Sequence, residues 1–373
     1  METIRRGDAG ESVRDVQSRL SALGHVVDPA ELEKHRFGES TERAVRAFQQ
    51  DRGLLVDGLV GKNTWEELVE AGYALGDRAL YLRSPYFRGD DVRSLQIHLN
   101  SLGFDPGRED GILGEQTARA TQEFQRNVGL RPDGIVGATT LDALGRLKSS
   151  VPGPGRTEIR ETETLRAADS LSGHRVAIDP GHGPEEPGCT GAAGLVEADV
   201  TWDLAELLAA ELRSRGAEPL LLRSREEDPS VSERASRANA AGADVLVALH
   251  FNDHPDPAAE GSSTYYFGRQ ESYSLAGRAL ADLVQEELVA RTGLKDGRTH
   301  PKAFPILRES TMPAVQLEPC FLTNPKEEQL LGEDRFRREL AAAVAQALER
   351  YFAGRLLTPG GSGGVAGPGA PRS

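Results

Sequence analysis

One sequence pattern is written twice in the first 147 residues. The first copy runs GDAGESVRDVQSRLSALG and then FGESTERAVRAFQQDRGLLVDGLVGKNTWEEL. The second runs FRGDDVRSLQIHLNSLGFDPGREDGILGEQTARATQEFQRNVGLRPDGIVGATTLDAL. Gln17 matches Gln96, Phe48-Gln49 matches Phe124-Gln125, and Asp57-Gly58 matches Asp133-Gly134. The offset falls from 79 to 76 because the first copy holds three extra residues between Gly24 and Gly38. A repeat of this length is two copies of one small domain rather than a solenoid. Each copy reads as three short helices. Val13, Val16, Gln17, Leu20 and Leu23 fall on one helical face, and Gly24 stands where a helix stops. Thr41 to Gln50 repeats the pattern, and Gly58 and Gly61 turn the chain into a last helix begun by Asn63 or Thr64 and anchored by Trp65 and Leu68. A domain of about seventy residues is marginal alone, so the two copies are expected to pack together.

After residue 173 the periodicity changes. The stretches HRVAIDPGHG, EPLLLR, ADVLVALH and PAVQLEP read as strands, while Val200 to Arg215, 230–241, 271–292 and 333–352 read as helices. Alternation of this kind predicts an α/β domain with a mostly parallel sheet, preceded here by the two small three-helix domains. Ligands of such sheets sit beyond the carboxyl ends of the strands, and the chemistry-bearing residues fall there. His182 follows the first strand through the turn of Gly181 and Gly183, His250 closes ADVLVALH, Glu318 closes AVQL, and Glu197 opens a helix. Two imidazoles and a carboxylate meet the demand of Zn²⁺ for three protein ligands with a fourth position left open. Glu318 is then available to take up and return a proton. Taken singly, a strand-end histidine is also the pattern of a structural or merely exposed side chain. A glutamate opening a helix is also the pattern of a dipole partner.

The chain of 373 residues is long enough for two or three domains. Its formal charge of −14 argues against a sequence-independent grip on nucleic acid, which requires cationic surface. No run of eighteen apolar residues is present, so no spanning helix is expected. The start, METIRRGDAGESVRDVQ, lacks the apolar core of a secretory signal, which makes the cytoplasm the expected compartment. A mis-assigned start codon or non-standard export would place the protein outside the cell or in the wall instead. Cys189 and Cys320 are too few for a disulfide scaffold and read as reduced residues filling tight spots, with a redox-sensitive pair as the alternative. The expected division is 1–72 and 80–147 for the two helical copies, 148–173 for a Pro/Gly-containing linker, 174–353 for the α/β domain, and 358–373 for a tail too poor in apolar residues to fold.

The V–LQ–L–LG, FG–T–AV–FQ and DG–VG–T–W/L blocks of both copies resemble the type 1 peptidoglycan-binding domains appended to wall hydrolases. The second copy departs from the first with Thr121 for Val45 and Leu141 for Trp65. Further on, AIDPGHGPEEPGCTG, GLVEADV, RASRANAAGADVLVALHFND and PAVQLEPCFLTNPKEE stand in the order of the type 3 N-acetylmuramoyl-L-alanine amidase family, over about 175 residues. That resemblance implies His182, Glu197 and His250 as Zn²⁺ ligands and Glu318 as catalytic acid/base. The implied reaction is cleavage of the amide between the lactyl group of N-acetylmuramic acid and L-alanine, with peptidoglycan or a muropeptide as substrate. Pro184, Ala248, Phe251, Cys189 and Cys320 depart from the usual family words; Phe251 and Pro184 are placed to narrow access. Arg234 and Asn239 match the family and read as scaffold, and His300 reads as an exposed loop histidine, with a place near the site, just before the last strand, as the alternative. Two binding repeats, an amidase-like domain and no signal together also resemble actinobacterial cytoplasmic regulators of peptidoglycan precursor synthesis. For a protein of that kind the expected partner is a peptidoglycan-synthesis enzyme. A cytoplasmic recycling amidase is the third reading.

Overall fold

The structure is a computed structural model describing residues 3–147, 170–269 and 272–354. Most of the expected linker and the whole expected tail lie outside the described residues. The first copy contains α1 (Glu11–Ala22), α2 (Pro29–Glu33), α3 (Glu39–Arg52) and α4 (Lys62–Glu70). The second contains α5 (Asp90–Ser101), α6 (Glu115–Asn127) and α7 (Ala138–Arg146). Each copy has its own apolar core, built on Val16, Leu20, Phe37, Phe48 and Leu68 in the first and on Leu95, Leu99, Leu113, Phe124 and Leu144 in the second.

The repeated glutamines explain why the pattern is so well kept. Gln17 and Gln96 are buried, and the amide of each donates to a nearby carbonyl and to the hydroxyl of the matching Thr41 or Thr117. Gln49 on α3 and Gln125 on α6 do the same. Each donates to an aspartate (Asp57, Asp133), a carbonyl and a threonine (Thr64, Thr140), and accepts the N–H of Gly58 or Gly134. Gln96 also accepts the N–H of Gly111, whereas the Gln17 Oε1 has no partner among the described residues; buried amides that donate to several groups fix loops that apolar packing alone would leave loose. The first copy differs from expectation by one helix. Its insertion forms α2, and Glu31 on α2 accepts hydrogen bonds from the backbone of Gly38, Ser40 and Thr41 at the start of α3.

The second half is built around one sheet. Its strands are β1 (Arg175–Pro180), β2 (Glu218–Leu221), β3 (Val245–Leu249), β4 (Ser262–Arg269), β5 (Ser272–Tyr273), β6 (Asp296–Lys302) and β7 (Ala314–Glu318). The order is β2-β1-β3-β7-β4-β5, with β6 on β4. The four strands β2, β1, β3 and β7 run parallel, β4 opposes β7, and β6 runs parallel to β4. One face is covered by α8 (Glu197–Ser214), α10 (Leu275–Thr292) and α13 (Asp334–Phe352) over Ile178, Val247, Leu317 and their neighbours. The other face carries α9 (Val231–Ala240) and α11 (Pro305–Glu309) over Ala177, Leu246, Ala248 and Phe267. A further helix, α12 (Pro325–Gly332), follows β7.

The mostly parallel sheet agrees with expectation, but β4 and β6 were not foreseen, and β5 occupies the start of the 271–292 stretch read as helix, which begins at Leu275. The segment holding His300 is a strand rather than a loop; it carries no large apolar residue to signal one.

The helical copies dock on the α9/α11 side. Arg308 of α11 reaches Glu67 at 2.6 Å and Glu70 at 2.7 Å in the first copy, and the carbonyl of Asp110 in the second. Arg269, at the end of β4, lies 3.0 Å from both Glu67 and Asp90, and Arg52 holds Asp90 at 2.7 Å. Arg108 of the second copy donates to the carbonyls of Ser310 and Met312. Burial drives the Glu67 carboxyl up to about 7, against the pull of Arg308. The two copies thus meet directly, through Arg52 and Asp90, and also through the sheet domain that both grip.

Candidate metal centre

The parallel order β1-β3-β7 brings three strand ends to one edge of the sheet, and each delivers a functional residue there. His182 lies two residues past β1 in a left-handed conformation (φ 61°). Its loop is fastened from below: Arg234 of α9 donates to the carbonyl of His182 at 2.8 Å and to that of Pro180 at 2.8 Å, and pairs with buried Asp179. Gly181 is required where it is, because a Cβ would overlap the His250 ring and the Leu249 carbonyl. His250 follows β3, its N–H bonded to the carbonyl of Leu317 on β7. Glu318 is the last residue of β7, so it lies beside His250 on the neighbouring strand.

Glu197 is the first residue of α8 and is buried, 3% exposed. Its Oε1 lies 3.2 Å from His182 Nε2 and 3.3 Å from His250 Nδ1, and accepts the N–H of Phe251. Its Oε2 accepts the N–H of Cys189. Burial alone would raise its pKa, but hydrogen bonds from the two imidazoles outweigh that and hold the carboxyl well below the usual range. One ligand atom from each of His182, Glu197 and His250 lies within 4.8 Å of the others. Two neutral nitrogen donors and one buried carboxylate converging on a common point fit a divalent cation such as Zn²⁺. A buried carboxylate whose facing side chains are imidazoles is the arrangement a metal completes.

Glu318 stands apart from this group and is half-buried. Burial raises its pKa, against the pull of His250, Gln316 and Tyr265. Gln316 donates to Glu318 Oε1 at 2.9 Å from the same face of β7, and the Tyr265 hydroxyl donates from the neighbouring β4. Neither partner was singled out from sequence. Gln316 sits inside a quoted motif, and Tyr265 sits on the unread strand. Glu327 and Glu328 of α12 were also passed over. Glu328 accepts the backbone of Ala193 and Leu195 in the loop that leads into Glu197, and Glu327 accepts that of Gly261 and Phe321. The NPKEE sequence, an asparagine cap followed by two acids in a first turn, was the available signal.

The remaining sequence-stressed residues fall outside the centre. Asn239 ties α9 to the end of α11, accepting from Thr311 and donating to the carbonyl of Glu309, a scaffold role. His300 is exposed on β6, its ring 6.0 Å from that of Tyr265. Cys189 and Cys320 are both free thiols. Burial pushes each thiol pKa up, with Glu197 adding to the effect at Cys189 and Glu327 at Cys320, so neither is poised as a thiolate.

Fold and donor set together define an α/β protein with two histidines and one glutamate, a group that could hold a metal ion, at the strand ends of a mostly parallel sheet. Comparison with known proteins narrows this class. The family model for N-acetylmuramoyl-L-alanine amidase matches residues 176–350, and that for a putative peptidoglycan binding domain matches 9–68 and 88–144. The chain is 40% identical to the N-acetylmuramoyl-L-alanine amidase CwlM of Mycobacterium tuberculosis, over 97% of this chain and 92% of that one. It is 27% identical to the amidase AmiC of Neisseria meningitidis, over 62% of this chain and 67% of the other. Among solved structures, an N-acetylmuramoyl-L-alanine amidase from Clostridium difficile 630 matches at 31% identity and a TM-score of 0.46, covering 48% of this chain and 97% of that one. The chain belongs to the N-acetylmuramoyl-L-alanine amidase family. Among the described residues no helix is long and apolar enough to cross a membrane.

Proposed function

We propose that this chain is a zinc-dependent N-acetylmuramoyl-L-alanine amidase acting on peptidoglycan or its fragments, with His182, Glu197 and His250 as ligands and Glu318 as acid/base. The observation that carries the reading is the convergence of three ligand atoms within 4.8 Å, beside a separate carboxyl on the adjoining strand end. Zinc in such a set supplies Lewis acidity, polarising the scissile carbonyl and making the attacking water acidic near neutral pH. The protein's own groups do the rest. Glu197 and the two histidines are locked by the hydrogen bonds and glycine contacts described above, so the set needs little rearrangement to hold an ion. Glu318 takes a proton from the water as its oxygen bonds to the carbonyl carbon. It then delivers that proton to the alanine nitrogen as the C–N bond breaks, leaving a lactyl carboxylate and a free amine. A carboxyl whose pKa is raised by burial both accepts and releases a proton more readily near neutrality.

The test is product analysis. Zinc-loaded protein incubated with a soluble muramoyl-pentapeptide is expected to release a peptide with a free L-alanine amino terminus, as read by mass spectrometry. The Glu318→Ala variant, with zinc still bound, is expected to lose at least a hundredfold in rate. Equal release by both proteins would remove Glu318 from the reaction, and no release by either would sink the amidase reading.

A further inference from the structure

The strand order places Glu318 between two parts of the sheet. On one side lie β1 and β3, whose ends lead to His182 and His250; on the other, β4 and β6 carry the sheet onward. The register sets Tyr265 opposite Gln316 on one edge of β4 and opposite His300 on the other. Residues two apart along a strand share a face, so Glu318, Tyr265, His300 and Lys302 stand on one face. The contacts agree. The Tyr265 hydroxyl donates to Glu318, and its ring lies 6.0 Å from that of His300 and 5.3 Å from that of Phe304. None of these side chains is fully buried. Together they form a floor that leads from Glu318 away from the two histidines.

Lys302 stands on this floor and is half-buried, yet among the described residues it forms no ion pair. Burial lowers its pKa, and the Glu318 charge pulls it back up. Its ammonium donates at 2.8 Å to the carbonyl of Leu54 in the first helical copy, which leaves two of its three N–H groups for another acceptor. The backbone around that contact is fitted closely. Gly53 ends α3 in the left-handed region (φ 67°), and its carbonyl accepts the N–H of Ala303 at 2.8 Å. A Cβ on Gly53 would meet the Gly268 carbonyl at 2.9 Å. The matching Gly129 of the second copy has nothing but chain neighbours within 4 Å of such a Cβ among the described residues. The first copy therefore holds in place a cation that is partly withdrawn from water and lacks a counter-charge. Such a group is costly unless an anion comes to it.

The reaction proposed above says where that anion comes from. Glu318 hands its proton to the alanine nitrogen, so the departing peptide begins at Glu318. An extended chain advances about 3.3–3.6 Å per residue, so a residue or two beyond that nitrogen carries the peptide over Tyr265 towards Lys302. In a stem whose second residue is glutamate joined through its side chain, the α-carboxylate of that residue is the first anion met. We propose that Lys302, held by the Leu54 carbonyl of the first copy, is a specificity-determining residue that binds this carboxylate of the leaving peptide. The assignment rests on the amidase reading and adds to it. Glu318 acts at the bond that is cut, Lys302 reads the charge just beyond it, and the first copy supplies part of the catalytic groove.

The test gives the full-length, zinc-loaded chain two muramoyl-tripeptides that differ in one group. In one the α-carboxylate of the second-residue D-glutamate is free; in the other it is an amide. The unaltered chain is expected to favour the free acid by about tenfold in kcat/KM, chiefly through KM. Lys302→Met, which keeps the length and removes the charge, is expected to abolish that preference by slowing the acid alone. Lys302→Arg is expected to keep most of it. Equal kcat/KM for the two compounds in the unaltered chain would overturn the proposal whatever the variants do to folding. A preference that survives in Lys302→Met, or a parallel fall on both compounds, would overturn it as well, the latter by marking Lys302 as structural. If the unaltered chain hydrolyses neither compound, the amidase reading falls, and both compounds are titrated against it calorimetrically. Tighter binding of the free acid, lost in Lys302→Met, then leaves the Lys302 assignment standing, whereas equal binding or none removes it too.

Discussion

At the scale of single residues, the centre depends on side chains whose partners are already in place. Glu318 shows this best, because two neutral donors from adjacent strands hold it without neutralising it. The Tyr265 hydroxyl stabilises the ionised form, which lowers the pKa of Glu318 and opposes the effect of burial. Replacing Tyr265 with Phe therefore raises that pKa, and the acid limb of the kcat/KM profile is expected to move to higher pH. Activity falls most on the acidic side and recovers as the pH rises through the limb. A profile measured with zinc held constant checks this, and an unmoved limb would show that the hydroxyl has no part in setting the acid/base. Glu318 itself was legible from sequence because it closes a strand written in a strong apolar pattern. Tyr265 was not, because its contact is made across strands and no local pattern encodes which strand lies next to which.

At the scale of elements, the insertion that distinguishes the first copy is a capping device. Glu31 on α2 accepts three backbone N–H groups around the first turn of α3 and the hydroxyl of Thr41. Burial is the largest single influence and raises its pKa, but the four hydrogen bonds together prevail and hold it below the ordinary 4.5. A carboxyl with a lowered folded-state pKa contributes stability above its unfolded pKa and loses it as the pH falls through the folded value. Glu31→Gln is expected to cost about 1 kcal/mol at neutral pH, the usual worth of a cap. The difference from the unaltered chain should shrink in acid. Urea unfolding at pH 7 and pH 3 tests both statements, and a penalty independent of pH would assign the effect to packing instead. The same scale explains the two missed strands. Asp296–Lys302 reads as polar turn material with a proline, and it is a strand because β4 offers it an edge. Its burial alternates from Asp296 to His300, but none of its residues is a large apolar one, so the period-two hydrophobic signal was absent.

At the scale of the whole molecule, binding repeats and catalytic sheet are joined by a buried charged cluster rather than by an apolar seam. Arg308 alone serves Glu67, Glu70 and the Asp110 carbonyl, and is 6% exposed. Removing one partner of a buried ion pair leaves its counter-charges unpaired, at a cost of about 3–5 kcal/mol. Arg308→Ala is thus expected to separate the unfolding of the helical repeats from that of the sheet, turning one calorimetric transition into two. A single transition at an unchanged temperature would mean that the cluster holds nothing together.

The sequence alone determined the duplication, the alternation of strands and helices, and the four residues at strand and helix ends. These are written in local periodicity and in turns that only glycine permits. Tertiary structure decided the order of the strands, and with it the meeting of His182, Glu197 and His250 and the pairing of Glu318 with Tyr265. Contacts between segments far apart in the chain are settled by shape and charge matching in three dimensions, which no single stretch of residues carries.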